Sequence, residues 1–167
     1  MLESLATRLK GRVLILGVGN SLRGDDGAGP YLVERLRGCV HATLLDCEDV
    51  PENFLGQIAE NQPSSVLLID AIDFGMTPGA TALLEGDELE GVSLSTHHSS
   101  LQLFIKCLKA ETKSNVLVMG IQPKSTRFGD GISREVEETL GLLRDILTQA
   151  LPLRESPCLQ SCSIRPS

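Results

Sequence analysis

The amino-acid sequence predicts an α/β fold, a single domain with a twisted, mostly parallel sheet of about five strands and helices on both faces. Three observations lead to this fold class. Continuous apolar runs such as residues 12–17 and 65–69 have the pattern of strands that are buried on both faces. These runs alternate with segments of helical spacing, which is the order of a parallel α/β sheet. The 167 residues also suffice for one domain with a continuous hydrophobic core.

Each predicted element has its own local signals. Residues 1–10 can form a short amphipathic helix with Leu2, Leu5 and Leu9 on one side. Pro30 suits the first turn of the helix that follows the first strand. The predicted strands cover residues 12–17, 41–45, 65–71, 80–84 and 115–120, and the later helices begin near residues 30, 51, 101 and 133. The α/β domain is therefore assigned to residues 1–151, and residues 152–167, which lack periodicity, are predicted to form a flexible C-terminal tail.

Residues 17–30 form a glycine-rich loop between the first strand and its helix, and this loop carries Asp25 and Asp26. A glycine loop in this place first indicates a nucleotide site. However, Leu22 occupies the position of the third glycine in a dinucleotide fingerprint, and no Gly-Lys-Ser/Thr of a phosphate loop follows. The two carboxylates would also repel a pyrophosphate. The loop therefore favours a cation, and no nucleotide cofactor is predicted; a plain turn with two solvated aspartates is the alternative.

Acidic side chains follow three of the predicted strands. Asp25 and Asp26 come after the first strand, Asp46 ends the second and Asp70 ends the third, while His97 stands at the start of the helix before the fifth strand. In open α/β sheets, ligands bind outside the carboxyl ends of the strands. We therefore expect these side chains to converge at one edge of the sheet.

Asp26, Asp70 and His97 make an oxygen, oxygen, nitrogen ligand set for a divalent metal ion, with positions left open for water or a partner. Asp26 and Asp70 could instead form an acid/base pair that shares a proton, one pKa being raised by the neighbouring charge. The residues alone leave both interpretations open. Asp49 and Glu52, near the start of a helix, are interpreted as acids that complement the helix dipole.

Composition and charge exclude several other classes of function. The net charge is −7, with 15 lysines and arginines, no basic run, one tyrosine and no tryptophan, which argues against nucleic-acid binding. No apolar stretch approaches the ~20 residues that would span a bilayer, and the N-terminus lacks the pattern of a secretory signal. The sequence therefore predicts a cytoplasmic protein without membrane insertion.

Four short motifs occur in a fixed order between residues 12 and 150. They are GVGNSLRGDDGAGP from residue 17, LIDA from residue 68, STH from residue 95 and GIQP from residue 120. Together they closely resemble the hydrogenase maturation endopeptidases, which include HycI and HybD, and in particular the HycI branch. The resemblance implies an aspartic-type endopeptidase that removes the C-terminal extension of a nickel-iron hydrogenase large-subunit precursor after nickel has been inserted.

Carried over residue by residue, the resemblance implies that Asp26, Asp70 and His97 contact the nickel and that Asp26 and Asp70 are catalytic. His98 takes the next position, where relatives vary. The nickel would be carried by the precursor on cysteine thiolates and would serve as the recognition element, although other divalent metals could occupy the site. We expect a monomer whose partner is the precursor. Two questions stay open. The peptide bond could be broken by a metal-activated water or by Asp26 and Asp70 acting as acid and base. The protein could also be a non-cleaving binding module or metallochaperone instead of a peptidase.

The five cysteines do not predict a disulfide framework, because their number is odd and their spacing is wide. Cys39, Cys47 and Cys107 are interpreted as small buried hydrophobic residues. Cys158 and Cys162 lie in a tail segment that looks somewhat like the Pro-Cys-x-x-Cys nickel-binding end of a hydrogenase large subunit, with one residue too many between the cysteines. A tail that imitates the substrate is therefore a hypothesis, and a tail whose cysteines have no role is the alternative.

Overall fold

The computed structural model describes residues 1–86, 88 and 98–153. Within them the chain alternates strands and helices. In order these are α1 (Leu2–Arg8), β1 (Val13–Gly17), α2 (Ala28–Leu36), β2 (Thr43–Asp46), α3 (Leu55–Glu60), β3 (Ser65–Ala71), β4 (Thr81–Glu85), α4 (His98–Thr112), β5 (Asn115–Ile121) and α5 (Arg134–Ala150). Short 3-10 helices at Gly24–Gly27 and Pro51–Phe54 lead into α2 and α3.

The strands form one sheet in the order β2-β1-β3-β5-β4. β1, β2, β3 and β5 run parallel, and β4 pairs antiparallel with β5 at one edge. This confirms the predicted α/β fold and its five-stranded, mostly parallel sheet. Because β2 and β3 lie on opposite sides of β1, the space outside the carboxyl ends of β1 and β3 is a topological switch point, where open sheets usually bind ligands.

Helices cover both faces of the sheet. Side chains alternate along a strand, so Val13 and Ile15 of β1 pack with α1, α2 and α5, while Leu14 and Leu16 pack with α3 and α4. Each of these four side chains is at most 5% exposed. A strand that is buried on both faces needs an apolar residue at every position, which is why β1 reads as a continuous apolar run.

Some element boundaries differ from the predicted ones. α2 begins at Ala28, before Pro30, because the first N–H groups of a helix have no intrahelical partner and a proline there loses nothing. β2 begins at Thr43, since the N–H of His41 donates to the carbonyl of Leu151 (2.8 Å) instead of to the sheet. Pro152, where the predicted tail begins, forms an isolated bridge with Val40. Within the described residues, no helix combines the length and the apolar character needed to cross a membrane.

Candidate active site

A cavity of about 530 Å³ opens at the carboxyl edge of the sheet, beside the switch point. Asp26, from the loop after β1, and Asp70, at the end of β3, both line it. Asp49, Glu52 and Asp73 add further carboxylates to its wall, and Arg23 adds a basic side chain. We call this the acidic cavity. Its lining shows that the strand-end rule brings two of the three predicted site residues to one place.

The position of Asp26 depends on a close approach, within the glycine-rich loop, between the backbone of Gly19 and the backbone of Asp26. Gly19 has a φ of 130°, and a Cβ at this position would lie 1.8 Å from the carbonyl oxygen of Asp26, so only glycine fits. The Asp26 carboxylate accepts a hydrogen bond from the N–H of Asn20 (2.9 Å), and Asp26 is half-buried. The loop therefore folds back on itself and fixes the carboxylate at the cavity.

Asp25, the neighbour of Asp26, has a different role. It is fully buried and accepts hydrogen bonds from the N–H groups of Lys124 (2.8 Å), Ser125 (3.2 Å) and Ser133 (2.6 Å) and from the Ser133 hydroxyl (2.9 Å). The interpretation of Asp25 and Asp26 as two solvated turn residues is wrong for Asp25. This carboxylate joins the glycine-rich loop to the loop between β5 and α5.

Asp70 is a carboxylic acid with a strongly shifted titration. Burial, followed by the negative charge of Asp26, raises the pKa of Asp70, a hydrogen bond from the backbone of Ala71 partly opposes them, and the resulting pKa is about 8. The influence of Asp26 on this pKa shows that the two carboxylates interact electrostatically. Without a bound cation, Asp70 is therefore mainly protonated near neutral pH.

Other acids that the sequence singled out separate into two groups. Asp49 and Glu52, interpreted above as helix-dipole acids, are part of the cavity wall, and Asp49 also accepts a hydrogen bond from the side chain of Asn20 (3.2 Å). Asp46 is exposed, accepts a hydrogen bond from the N–H of Glu48 (2.9 Å) and is not among the described residues that line the cavity. It is therefore a turn residue at the end of β2.

The predicted nitrogen ligand, His97, lies outside the described residues. Ser100 and Leu101, in the first turn of α4, line the acidic cavity, so the start of this helix borders it. No group of three or more histidine, cysteine, aspartate or glutamate side chains suited to hold a metal is found in the part of the chain that the structure describes. There, Asp26 and Asp70 supply the oxygen donors of the predicted ligand set.

Gln122 is a residue of the site region to which the sequence assigned no role. Its side chain is buried: Oε1 accepts hydrogen bonds from the N–H groups of Phe74 (2.8 Å) and Met76 (3.1 Å), and Nε2 donates to Asp73 (3.0 Å) and to the carbonyl of Pro123 (3.2 Å). The GIQP motif was the available signal, but its glutamine could be understood only once the loop after β3 was seen around it. Gln122 ties that loop to the end of β5.

Cys47 lies directly after β2 and is buried, as predicted. Burial, together with the nearby charge of Asp46, raises the pKa of its thiol to about 12. Such a thiol is not a nucleophile near neutral pH, because the thiolate is the reactive form. Cys107, however, is exposed, so its predicted burial is wrong, whereas Cys39 is half-buried and packs against the hydrophobic core.

Comparison with known proteins gives a consistent result. Residues 30–150 match the family model of the HycI hydrogenase maturation proteases. The hydrogenase 3 maturation protease of Escherichia coli K12 is 33% identical over 130 residues, which are 76% of this chain and 83% of that protein. A putative hydrogenase maturation protease of Methanocaldococcus jannaschii is 32% identical over 149 residues, or 82% of this chain and 88% of its own length.

Solved structures of the same kind share the fold. The crystal structure of the NiFe hydrogenase maturation protease HycI from Thermococcus kodakarensis superposes with a TM-score of 0.80 at 32% identity, covering 89% of this chain and 98% of the other. The solution structure of the endopeptidase HycI from Escherichia coli gives a TM-score of 0.73 at 28% identity, covering 83% and 90%. The family match includes Asp70 and His97 and begins shortly after Asp26.

Proposed function

This chain belongs to the HycI family of hydrogenase maturation proteases, and from that premise we propose that it is an endopeptidase that removes the C-terminal extension of a nickel-iron hydrogenase large-subunit precursor after nickel insertion. One observation carries the proposal beyond family membership. Asp26 and Asp70 reach one cavity from either side of the switch point, where they interact electrostatically. The reaction would take place in the cytoplasm, with the protein acting as a monomer on the precursor.

The acidic cavity suits a metal that arrives with the substrate. A divalent cation stabilises two neighbouring carboxylates, because its positive charge offsets the repulsion between them. In the proposal, Asp26 and Asp70 contact the nickel through oxygen and His97 contacts it through nitrogen, while the thiolates of the precursor keep hold of it. A precursor without nickel lacks this bridge and is not recognised.

Asp26 and Asp70 also have different environments, as an acid and a base require. Asp70 holds a proton near neutral pH because burial and the charge of Asp26 raise its pKa to about 8. Asp26 is half-buried at the cavity, and one of its carboxylate oxygens accepts a hydrogen bond from the N–H of Asn20 (2.9 Å). Acid/base cleavage by this pair would make the enzyme aspartic-type. In the other possible mechanism the metal activates a water molecule, and the two carboxylates position the metal.

Mass spectrometry of precursor incubated with the purified protein tests the proposal. We expect a shortened product from the nickel-loaded precursor and none from the nickel-free one. Asp26→Asn and Asp70→Asn should each slow processing by at least about 100-fold, since both acid/base and metal-positioning roles need the carboxylate. Asp145→Asn on the exposed surface of α5 is the matched control and should process normally.

Circular dichroism of both variants must first show that they are folded. If both folded variants process the loaded precursor at the wild-type rate, the assignment of these carboxylates is wrong. If the wild-type protein binds the loaded precursor but leaves its mass unchanged, the protein is instead a non-cleaving binding module.

A further inference from the structure

Four exposed apolar residues lie on the loops that supply the wall of the acidic cavity. Leu22 is 61% exposed, Val50 38%, Met76 51% and Phe128 75%. We call these four residues the apolar rim. Single exposed apolar residues are ordinary on protein surfaces, but several of them on loops that build one cavity indicate an interaction site.

The chain itself places each member of the apolar rim beside the cavity. Leu22 and Val50 are direct sequence neighbours of cavity-lining residues, and Phe128 follows shortly after another, Thr126. Met76 donates its N–H to the side chain of Gln122 (3.1 Å), which also contacts the cavity-lining Asp73. Each rim residue is thus linked to the cavity wall either along the chain or through the Gln122 side chain.

Backbone hydrogen bonds hold Leu22 and Phe128 in place. The N–H of Gly129 donates to the carbonyl of Leu22 (2.9 Å), and the N–H of Gly24 donates to the carbonyl of Asp130 (3.1 Å). The buried Asp25 carboxylate joins the same two loops, because it accepts hydrogen bonds from the N–H groups of residues 124, 125 and 133. The two side chains therefore project from an ordered platform, so docking on them costs little loop-ordering entropy.

The distribution of polarity indicates which kind of partner fits. Sites for small molecules are mostly apolar inside, whereas the described wall of this cavity combines five carboxylates and Arg23 with a few apolar residues such as Val18 and Leu101, and further apolar side chains are exposed on the neighbouring loops. A large partner would contact the rim while a cationic, metal-bearing segment enters the acidic interior. A protein offers both features, since apolar anchors dominate protein interfaces.

We propose that the apolar rim is the docking surface for the folded body of the hydrogenase large-subunit precursor, whose metal-bearing segment enters the acidic cavity. This inference rests on the proposed function, because it takes the substrate from it. The rim contacts are made equally in the ground state and in the transition state. Their loss therefore weakens binding without slowing the chemical step.

The double variant Leu22→Ser/Phe128→Ser tests the docking surface. The matched control is Leu142→Ser/Leu153→Ser, which removes two apolar side chains that are 66% and 53% exposed, one in α5 and one just after it, far along the chain from the described residues that line the cavity. With nickel-loaded precursor, the rim variant should show a KM at least about tenfold higher than wild type with kcat within twofold. The control should match wild type in both, and Ni²⁺ alone should bind all three proteins equally by calorimetry.

Three outcomes separate this inference from the proposed function. A rim variant whose KM equals that of wild type overturns the docking surface and leaves the peptidase assignment intact. A rim variant that lowers kcat or Ni²⁺ affinity also overturns it, because the loops would then support the cavity and not the partner. If wild type does not cleave the loaded precursor, the proposed function fails, and the dissociation constants of the three proteins for the precursor still decide whether the rim binds it.

Discussion

Asp25 and Asp26 are adjacent carboxylates with opposite surroundings. Both lie in a tight 3-10 turn, where consecutive side chains point about 120° apart, so one enters the protein and the other faces the cavity. The strand-end rule predicted that Asp26 would lie near Asp70, and it does. The same rule could not separate Asp25 from Asp26, because the donors that bury Asp25 come from Lys124, Ser125 and Ser133, far along the chain.

The titration of Asp70 makes stability depend on pH. Its pKa is about 8 in the folded protein against an ordinary value of 3.8. Between those values the folded state binds more protons than the unfolded state, so this group lowers the free energy of unfolding as pH rises from about 4 to about 8. Asp70→Asn removes the effect. The variant should therefore be more stable than wild type at pH 8, by at least about 1 kcal/mol, and close to wild type at pH 4.

Urea denaturation at both pH values in the presence of a chelator measures this difference, and Asp145→Asn serves as the surface control. Chelation matters because a bound cation would favour the ionised form of Asp70 and hide the effect. Equal pH dependence in wild type and Asp70→Asn would contradict the raised pKa.

At the scale of single elements, sequence patterns located the strands better than their ends. β1, β3 and β5 are buried on both faces and were recognisable from their apolar runs, whereas β2 is short and only partly buried, so its start was misplaced. The walls of the acidic cavity depend on loops, which carry no periodic signal. The roles of Asp49 and Gln122 therefore became visible only in three dimensions.

The start of α2 packs against the sheet through Gly29. A Cβ at this position would lie 2.4 Å from the carbonyl oxygen of Ile69 and 2.5 Å from that of Val18. Gly29→Ala must therefore push α2 away from the ends of β1 and β3, and we expect it to lower the free energy of unfolding by about 1–3 kcal/mol. Because Asp26 lies two residues before this helix and Asp70 follows Ile69, the same shift should slow processing.

Gly141 in α5 is the matched control, since a Cβ there would meet no atom within 4 Å. Gly141→Ala should stabilise the protein by up to about 1 kcal/mol, because alanine loses less backbone entropy than glycine in a helix. Urea denaturation of both variants makes the comparison. If the two substitutions shift the midpoint equally, close packing at Gly29 does not limit the fold.

For the molecule as a whole, the α/β fold and the family were accessible from the sequence because both depend on patterns in chain order. The strands alternate with helices, and the four motifs follow one another as they do in the family. Contacts between segments that are far apart in the chain leave no such pattern in the sequence. Leu151 is buried, its carbonyl accepts the N–H of His41, and Pro152 bridges Val40, so the end of the predicted domain is held by a segment before β2.

These contacts define a sharp test of the tail. A chain ending at residue 153 keeps Leu151 and Pro152 but lacks Cys158 and Cys162. We expect it to match the full chain in unfolding free energy, Ni²⁺ affinity and processing rate. A chain ending at Ala150 also loses the buried Leu151 side chain and should be less stable by about 2–5 kcal/mol. Urea denaturation, calorimetry with Ni²⁺ and the precursor assay compare the three proteins.

The comparison decides between the two interpretations of the tail cysteines. If Cys158 and Cys162 imitate the nickel-binding end of a hydrogenase subunit, they add thiolate ligands or compete with the precursor for the cavity. Cutting at residue 153 would then weaken Ni²⁺ binding or raise the processing rate. The chain ending at Ala150 separates this effect from loss of the fold, because that truncation removes the contacts of Leu151 and Pro152 with the segment before β2.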